Sequence, residues 1–457
     1  MDEPDETSLP ASRFRRRRST PAQLIALSFA ATIAVGTALL ALPAAHAPGH
    51  HLGLLDALFT ATSAVCVTGL VVVGTGTAFS LFGKLVIMLL IQAGGLGILT
   101  LGTLVALASG RRIGFRERLG LQAQVNITQV GGIVRLIRRI FMVVFGVELA
   151  GAVLLYLPFA RVEGAGRGAF YAAFHSISAF NNAGFGFYRD SLTRFLHDPL
   201  VNATVLALIV LGGLGFMVII NVAGHFRRGR RNPLTLHSKV VLAGTALLIA
   251  VGTVVILAFE WTNPATLAHL PFPDKLMAAL FQSITPRTAG FNTLDISQLR
   301  PATLLFTMLL MFIGGNPGST AGGIKTVTFL VLVGSAWSLS RGHGELTLFE
   351  RRIASQAAVK ASAIALLGML LVGAAVTGLT LTDPDKGLLQ LGFESISAFG
   401  TVGLSTGITA TLSSAGKLII IVLMYLGRLG PLTLALALME RQPERRIKYP
   451  EDDVVIG

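Results

Sequence analysis

The sequence predicts an all-α polytopic membrane protein: eight transmembrane helices in four pseudo-repeated units of span, re-entrant pore loop and span (M1-P-M2) around one pore. Three observations predict it. Of the 457 residues, 53% are hydrophobic and only 13% charged, against about 25% charged in soluble domains. Apolar runs of roughly 20 residues, the length that crosses a bilayer, recur along the chain, and the mean hydropathy is +0.70. Between those runs one short phrase returns four times.

The first run, 21–42, follows Arg15-Arg16-Arg17-Arg18 and ends near Ala45-His46-Ala47, imitating a secretory signal but too long for one. Runs at 84–108, 138–160, 199–223, 238–260, 302–338 with a break, 358–381 and 417–439 bring the crossings to eight, with both termini on one side. Of the 37 Lys and Arg, 25 fall in 1–20, 109–139, 224–239, 340–360 and 440–457. The positive-inside rule therefore places the termini and these loops in the cytoplasm. The net charge of +14 reads as topogenic charge beside anionic membrane lipid, with docking of a regulatory subunit as the other reading, and not as a nucleic-acid surface. A single cysteine, Cys66, excludes an internal disulfide and a thiolate metal cluster. His46, His50 and His51 share a short loop without convergent carboxylates and read as solvated.

The expected organisation is a cytoplasmic tail (1–19), pore unit 1 (20–108), a cytoplasmic linker with pore unit 2 (109–224), pore unit 3 (225–340), pore unit 4 (341–440) and a cytoplasmic tail (441–457). The repeated phrase is Phe59-Thr60-Ala61-Thr62-Ser63, Phe174-His175-Ser176-Ile177-Ser178, Phe281-Gln282-Ser283-Ile284-Thr285 and Phe393-Glu394-Ser395-Ile396-Ser397. Each copy leads into a glycine segment: Val67-Thr68-Gly69, Asn182-Ala183-Gly184, Thr288-Ala289-Gly290 and Thr401-Val402-Gly403. The Phe-to-Gly offset is 10, 10, 9 and 10 residues. An amphipathic helix this short cannot cross, so the glycine segment runs extended at membrane depth with carbonyls that lipid cannot satisfy. Non-helical backbone survives there only when buried in protein or lining a cavity. A ring of carbonyls around a desolvated cation meets both conditions, as in a K⁺ filter.

The second span of each unit carries a further echo: Gly94-Gly95-Leu96-Gly97, Gly212-Gly213-Leu214-Gly215, Gly314-Gly315-Asn316-Pro317-Gly318 and Gly427-Arg428-Leu429-Gly430. Close helix packing explains the first two. The third opens the stretch Gly314, Gly315, Asn316, Pro317, Gly318, Ser319, Thr320, Ala321, Gly322, Gly323, too irregular for a continuous helix. It approaches a phosphate-binding loop, but Ile324 intrudes before Lys325-Thr326 and no soluble strand precedes it. We expect instead a displaceable intramembrane gating loop over 314–323, whose Asn316, Ser319 and Thr320 satisfy one another while it is closed. Glu148, Lys325 and Arg428 are charges near membrane depth, which usually face a bundle interior or water. Arg428 stands where the other units have glycine, so it is expected at the axis, holding loop carbonyls and opposing cations; pairing with Glu148 or a carbonyl for purely structural reasons is the alternative.

Two phrases, Gln282-Ser283-Ile284-Thr285-Pro286-Arg287-Thr288-Ala289-Gly290-Phe291-Asn292-Thr293 and Gly318-Ser319-Thr320-Ala321-Gly322-Gly323-Ile324-Lys325-Thr326, resemble the Trk/Ktr/HKT superfamily of potassium transporters. The resemblance covers about 20–440 and looks most like the KtrB branch. It implies potassium uptake across the plasma (inner) membrane, K⁺ as substrate with Na⁺ as a candidate coupling or regulatory ion, and no covalently bound cofactor. It further implies a homodimer with one pore per protomer, and a separate cytoplasmic ring of nucleotide-binding, RCK-type regulatory subunits controlling the loop. A glycine in all four segments is the family pattern associated with preference for K⁺ over Na⁺. Two rival classes fit less well. A secondary cation or solute transporter with discontinuous helices would repeat its breaks in two halves, not four. A membrane enzyme would need convergent catalytic groups that the scattered histidines and isolated Glu148 do not supply.

Overall fold

The computed structural model describes residues 21–97, 133–228, 233–342 and 345–430. The expected tails, the linker over 109–132, and the ends of the 84–108 and 417–439 runs lie outside the described residues. Within them the chain runs four times through a long helix, a short helix, an extended segment and a second helix. The first set is α1 (Pro21–Ala41), α2 (Leu54–Val65) and α3 (Leu81–Leu96). The second is α4 (Ile133–Glu163), α5 (Ala165–Phe180) and α6 (Pro199–Leu214), followed by α7 (Phe216–Arg228). The third is α8 (Leu236–Glu260), α9 (Phe272–Ile284) and α10 (Pro301–Phe312), followed by α11 (Thr326–Ser340); the fourth is α12 (Ser355–Thr382), α13 (Leu388–Gly400) and α14 (Ser414–Leu429). Among the described residues the one sheet is a two-stranded hairpin pairing Thr347–Leu348 with Arg351–Arg352.

Helices α1, α4, α8 and α12 are long and apolar enough to cross a membrane by themselves. Their partners are shorter, and this corrects the expectation of a continuous helix over 199–223. Helices α6 and α7 meet at 103°, because Gly215 takes φ 95, a left-handed conformation that ends the helix and costs glycine little. The amide of Phe216, first in α7, donates to the Gly318 carbonyl at 2.9 Å instead of extending α6. In the third set the expected break is present and longer, from Phe312 to Thr326.

Helix starts follow their side chains. Ser80 accepts from Gly83 N at 3.2 Å, Asp198 from Leu200 N and Val201 N at 3.0 and 3.1 Å, and Ser413 from Gly416 N at 3.0 Å. These caps occupy amides with no partner inside the helix. The phenylalanines that open the four phrases, Phe59, Phe174, Phe281 and Phe393, are fully buried, packed against protein and not lipid, so that van der Waals contact is what they contribute. The second helices close on the short ones through glycine: a Cβ on Gly94, Gly212 or Gly427 would run into the carbonyl oxygen of Val65, Phe180 or Phe399 respectively. Close packing is thus what three of the four glycine echoes provide.

Candidate functional site

The four glycine segments follow the C-terminal ends of the short helices and meet in one closed circle. A Cβ on Gly69 would strike the Ala183 carbonyl oxygen, and one on Gly184 would lie 2.9 Å from that of Ala289. On Gly290 it would strike the Val402 oxygen, and on Gly403 the Thr68 oxygen, which returns to the first segment. Each glycine therefore abuts the carbonyl of the residue preceding the next unit's glycine, in chain order. No side chain fits at any of the four positions without opening the circle.

Backbone conformation repeats with the same fidelity. The glycines have φ of 90, 69, 76 and 92, and the residues two positions earlier, Val67, Asn182, Thr288 and Thr401, have φ of 56, 57, 72 and 50. Left-handed backbone at non-glycine residues is strained, costing about 1–3 kcal/mol each, and persists only where surroundings over-determine it. Those surroundings are the last hydroxyl of the repeated phrase. Ser63 Oγ donates to Leu70 O at 2.8 Å and accepts from Gly69 N at 3.0 Å. Ser178 donates to Phe185 O at 2.8 Å, Thr285 to Phe291 O at 2.5 Å, and Ser397 accepts from Gly403 N at 3.1 Å. The carbonyls of the same four residues accept from the amides of Thr68, Ala183, Ala289 and Val402 at 2.8–2.9 Å. The phrase repeats because each copy clamps its segment in this way.

An open vestibule of about 810 Å³ lies on one side of the circle, lined by all four glycines and by Asp190 and Asp295 among others. The stretch 314–323 lies against the fourth of these segments. A Cβ on Gly322 would strike Thr401 Oγ1, and one on Gly323 would come 3.2 Å from the Gly400 carbonyl. The stretch is tied at its neck, where Gly314 N donates to Ile324 O at 2.7 Å and Thr326 N to Gly315 O at 2.9 Å. Its tip leans on the second unit, where Asn316 Nδ2 donates to Gly213 O at 3.0 Å and Thr320 Oγ1 to Phe180 O at 3.2 Å, and Asn316 Nδ2 also donates to Thr245 Oγ1 of the third unit's own α8 at 3.3 Å. Of the three polar side chains expected to satisfy one another, only Ser319 bonds within the loop, donating to Asn316 O at 2.6 Å. The other two find carbonyls of neighbouring units, because the tip is wedged between helices and not free in a cavity.

Arg428 donates one Nη to Thr320 O in the loop and the other to Gly94 O near the end of α3. Lys325 Nζ donates to Ala321 O at 2.7 Å. Pro317 and Gly318 sit at the tip against Gly215, where a Cβ would be 2.7 Å from the Pro317 oxygen. Glu148 is buried away from Arg428: Gln92 Nε2 donates to its two oxygens at 3.1 and 3.2 Å, and Asn181 Nδ2 to Oε1 at 2.9 Å. Cys66 is fully buried.

The chain matches the family model TrkH, described as "Cation transport protein", over residues 11–448. The chain belongs to this family. It is 42% identical over 440 residues to the Ktr system potassium uptake protein B of Bacillus subtilis (strain 168), covering 96% of this chain and 97% of that one. To the protein of the same name from Vibrio alginolyticus it is 41% identical over 455 residues, 98% of each. The crystal structure of the potassium transporter TrkH from Vibrio parahaemolyticus superposes with a TM-score of 0.72 at 21% identity, covering 93% of this chain and 86% of that one, which establishes a shared fold. The protein is thus a multi-pass membrane protein of a cation-transport family, not of an enzyme family.

Sequence reasoning did not single out the left-handed residues Val67, Asn182, Thr288 and Thr401 as strained, the corner at Gly215, or Arg287. The first had a signal in the invariant spacing of two residues before each glycine. Arg287 stands inside the 282–293 phrase, with nothing in its sequence neighbours to name a partner.

Proposed function

We propose that this protein takes up K⁺ across the plasma membrane through a channel-like pore, with the ion held by backbone oxygens of 67–69, 182–184, 288–290 and 401–403. The closed circle of four glycines, each packed on the next unit's carbonyl, is the observation that carries the reading. Four converging carbonyl segments replace a cation's hydration shell, and their number and field strength select the ion. Membership of the TrkH family and the likeness to two potassium uptake proteins support potassium as the ion. The residues of 314–323, with Lys325 and Arg428, form the gate: a wedge of backbone against the fourth segment, held by a guanidinium on the Thr320 carbonyl. A cation arriving there meets two like charges and a blocked path.

In this reading the four sets of helices are pore units 1 to 4, each second crossing is broken or ended by glycine, and both termini are cytoplasmic. An inside-negative potential of about 100 mV contributes roughly 2.3 kcal/mol per monovalent cation, close to a 50-fold accumulation, so uptake needs no ATP hydrolysis by this chain. Control of the loop comes in trans, from a nucleotide-binding cytoplasmic ring acting on a homodimer. The test is flux of K⁺, Rb⁺ and Na⁺ into liposomes holding the purified chain, with and without imposed potential. Selective, potential-driven K⁺ entry is expected, most clearly after shortening the glycine loop. No cation entry in a well-folded, loop-shortened chain refutes the pore.

A further inference from the structure

Arg287 lies one residue before the third filter segment, and its backbone amide donates to Ile284 O at 3.1 Å. Its side chain is 7% exposed and reaches across to the neck of the loop, where Nη2 donates to Thr326 Oγ1 at 3.1 Å. The threonine hydroxyl in turn donates a hydrogen bond to Gly314 O at 2.7 Å. A directional chain of guanidinium, hydroxyl and carbonyl therefore runs from the third filter segment into the start of the glycine loop. Chains of this kind polarise each bond in turn.

The cation is poorly served for a buried one. Guanidinium offers five N–H donors, yet the Arg287 side chain has one hydrogen bond and no ion pair among the described residues, and its Nε–H has no partner. Beside it is a void of about 10 Å³ bounded by Arg287, Gly213, Thr245 and Gly315, at the lower limit for a single water. A neutral side chain would staple the neck without placing an under-bonded charge at membrane depth, where charge is costly and marks function. Gly315, in the neck of the loop, lines the same void as the guanidinium.

We propose that Arg287 is the positioning residue that couples the third filter segment to the loop neck, so that the ion in the ring biases the loop and the loop biases the ring. It rests on the reading of the ring as filter and the loop as gate, and coupling of this kind is necessarily reciprocal. The third segment suits the role, being the one whose Phe-to-Gly offset is 9 and not 10.

The experiment follows loop exposure by the rate of thiol labelling of Ser319→Cys in a Cys66→Ala background of the full chain, in K⁺ and in Na⁺ at equal ionic strength. The expected result is a rate differing about fivefold between the two ions, the low end for coupled sites. Arg287→Met and Thr326→Val should each abolish that difference, their combination should do no more than either alone, and Thr326→Ser, which keeps the hydroxyl, should preserve it. Ion-independent labelling in the parent overturns the proposal. So does an ion dependence that survives both substitutions with only thermal stability reduced, since Arg287 is then a structural staple. Selective K⁺ flux through the loop-shortened chain, measured separately, tells this failure from failure of the pore itself.

Discussion

Replacing Arg428 by alanine should raise resting K⁺ flux, and the structure sets the size of the effect. Arg428 holds Gly94 O, a carbonyl at the end of α3, and Thr320 O, inside the loop. Moving the loop out of the path breaks the second bond while the first can remain. A hydrogen bond from a charged donor contributes about 1.5–3 kcal/mol, and each 1.4 kcal/mol is a factor of ten in an equilibrium. The closed state should therefore lose a preference of about 10- to 100-fold over the open one. Loss of the positive charge at the constriction adds to flux in the same direction. Arg428→Lys separates the two contributions, because lysine keeps the charge but lacks the fork that spans two carbonyls, so its flux should fall between parent and alanine variant. The assay is ⁸⁶Rb⁺ or K⁺ uptake into liposomes containing the purified chain without regulatory partner. Flux that stays level or falls in an alanine variant of unchanged thermal stability would refute the gate assignment.

Other substitutions test separate parts of the same site. Gly69→Ser should relax selectivity towards Na⁺, since its side chain would strike Ala183 O and open the circle; an unchanged K⁺/Na⁺ flux ratio removes Gly69 from the filter. Deleting residues within 315–322 should raise basal flux, and a deletion variant that folds yet conducts less than the parent counts against a blocking loop. Gly215→Ala forces a side chain to φ 95 and against Pro317 O, which should destabilise the chain by about 1–3 kcal/mol and weaken the seat of the loop, seen as a lower melting temperature with higher resting flux. Ser397→Ala removes the acceptor for Gly403 N; a net loss of about 1 kcal/mol is expected, with a shifted Rb⁺/K⁺ ratio as the readout, and an identical ratio would show that the hydroxyl does not hold the fourth segment.

Much of this was legible in the sequence because the information is periodic. A phrase repeated four times at nearly fixed offset reports a local solution used four times, and Ser63, Ser178, Thr285 and Ser397 are that solution. Arg428 was legible for the opposite reason, as the one charged residue among matched glycines. The corner at Gly215 was hidden because 199–223 is uniformly apolar, and hydropathy is blind to direction: a bent pair and a straight helix have the same composition. The bonding of Asn316 and Thr320 was hidden because their partners, Gly213 O and Phe180 O, are backbone atoms more than a hundred residues away. Arg287 needed three dimensions for the same reason, since Thr326 is 39 positions on.

The circular contact among Gly69, Gly184, Gly290 and Gly403 also bears on how the chain is made. Two of its four joints, Gly69 with Ala183 and Gly184 with Ala289, can form as the first three units enter the bilayer, but Gly290 with Val402 and Gly403 with Thr68 both wait for the fourth unit, and the last of these joins it back to the first. Closing so long a segment is entropically slow compared with local helix pairing. Until then the first and third segments each lack one of their two neighbours in the circle, although their left-handed residues keep the hydroxyls of their own phrase. Completion of the circle thus distinguishes a finished molecule from one that stops short of the fourth unit.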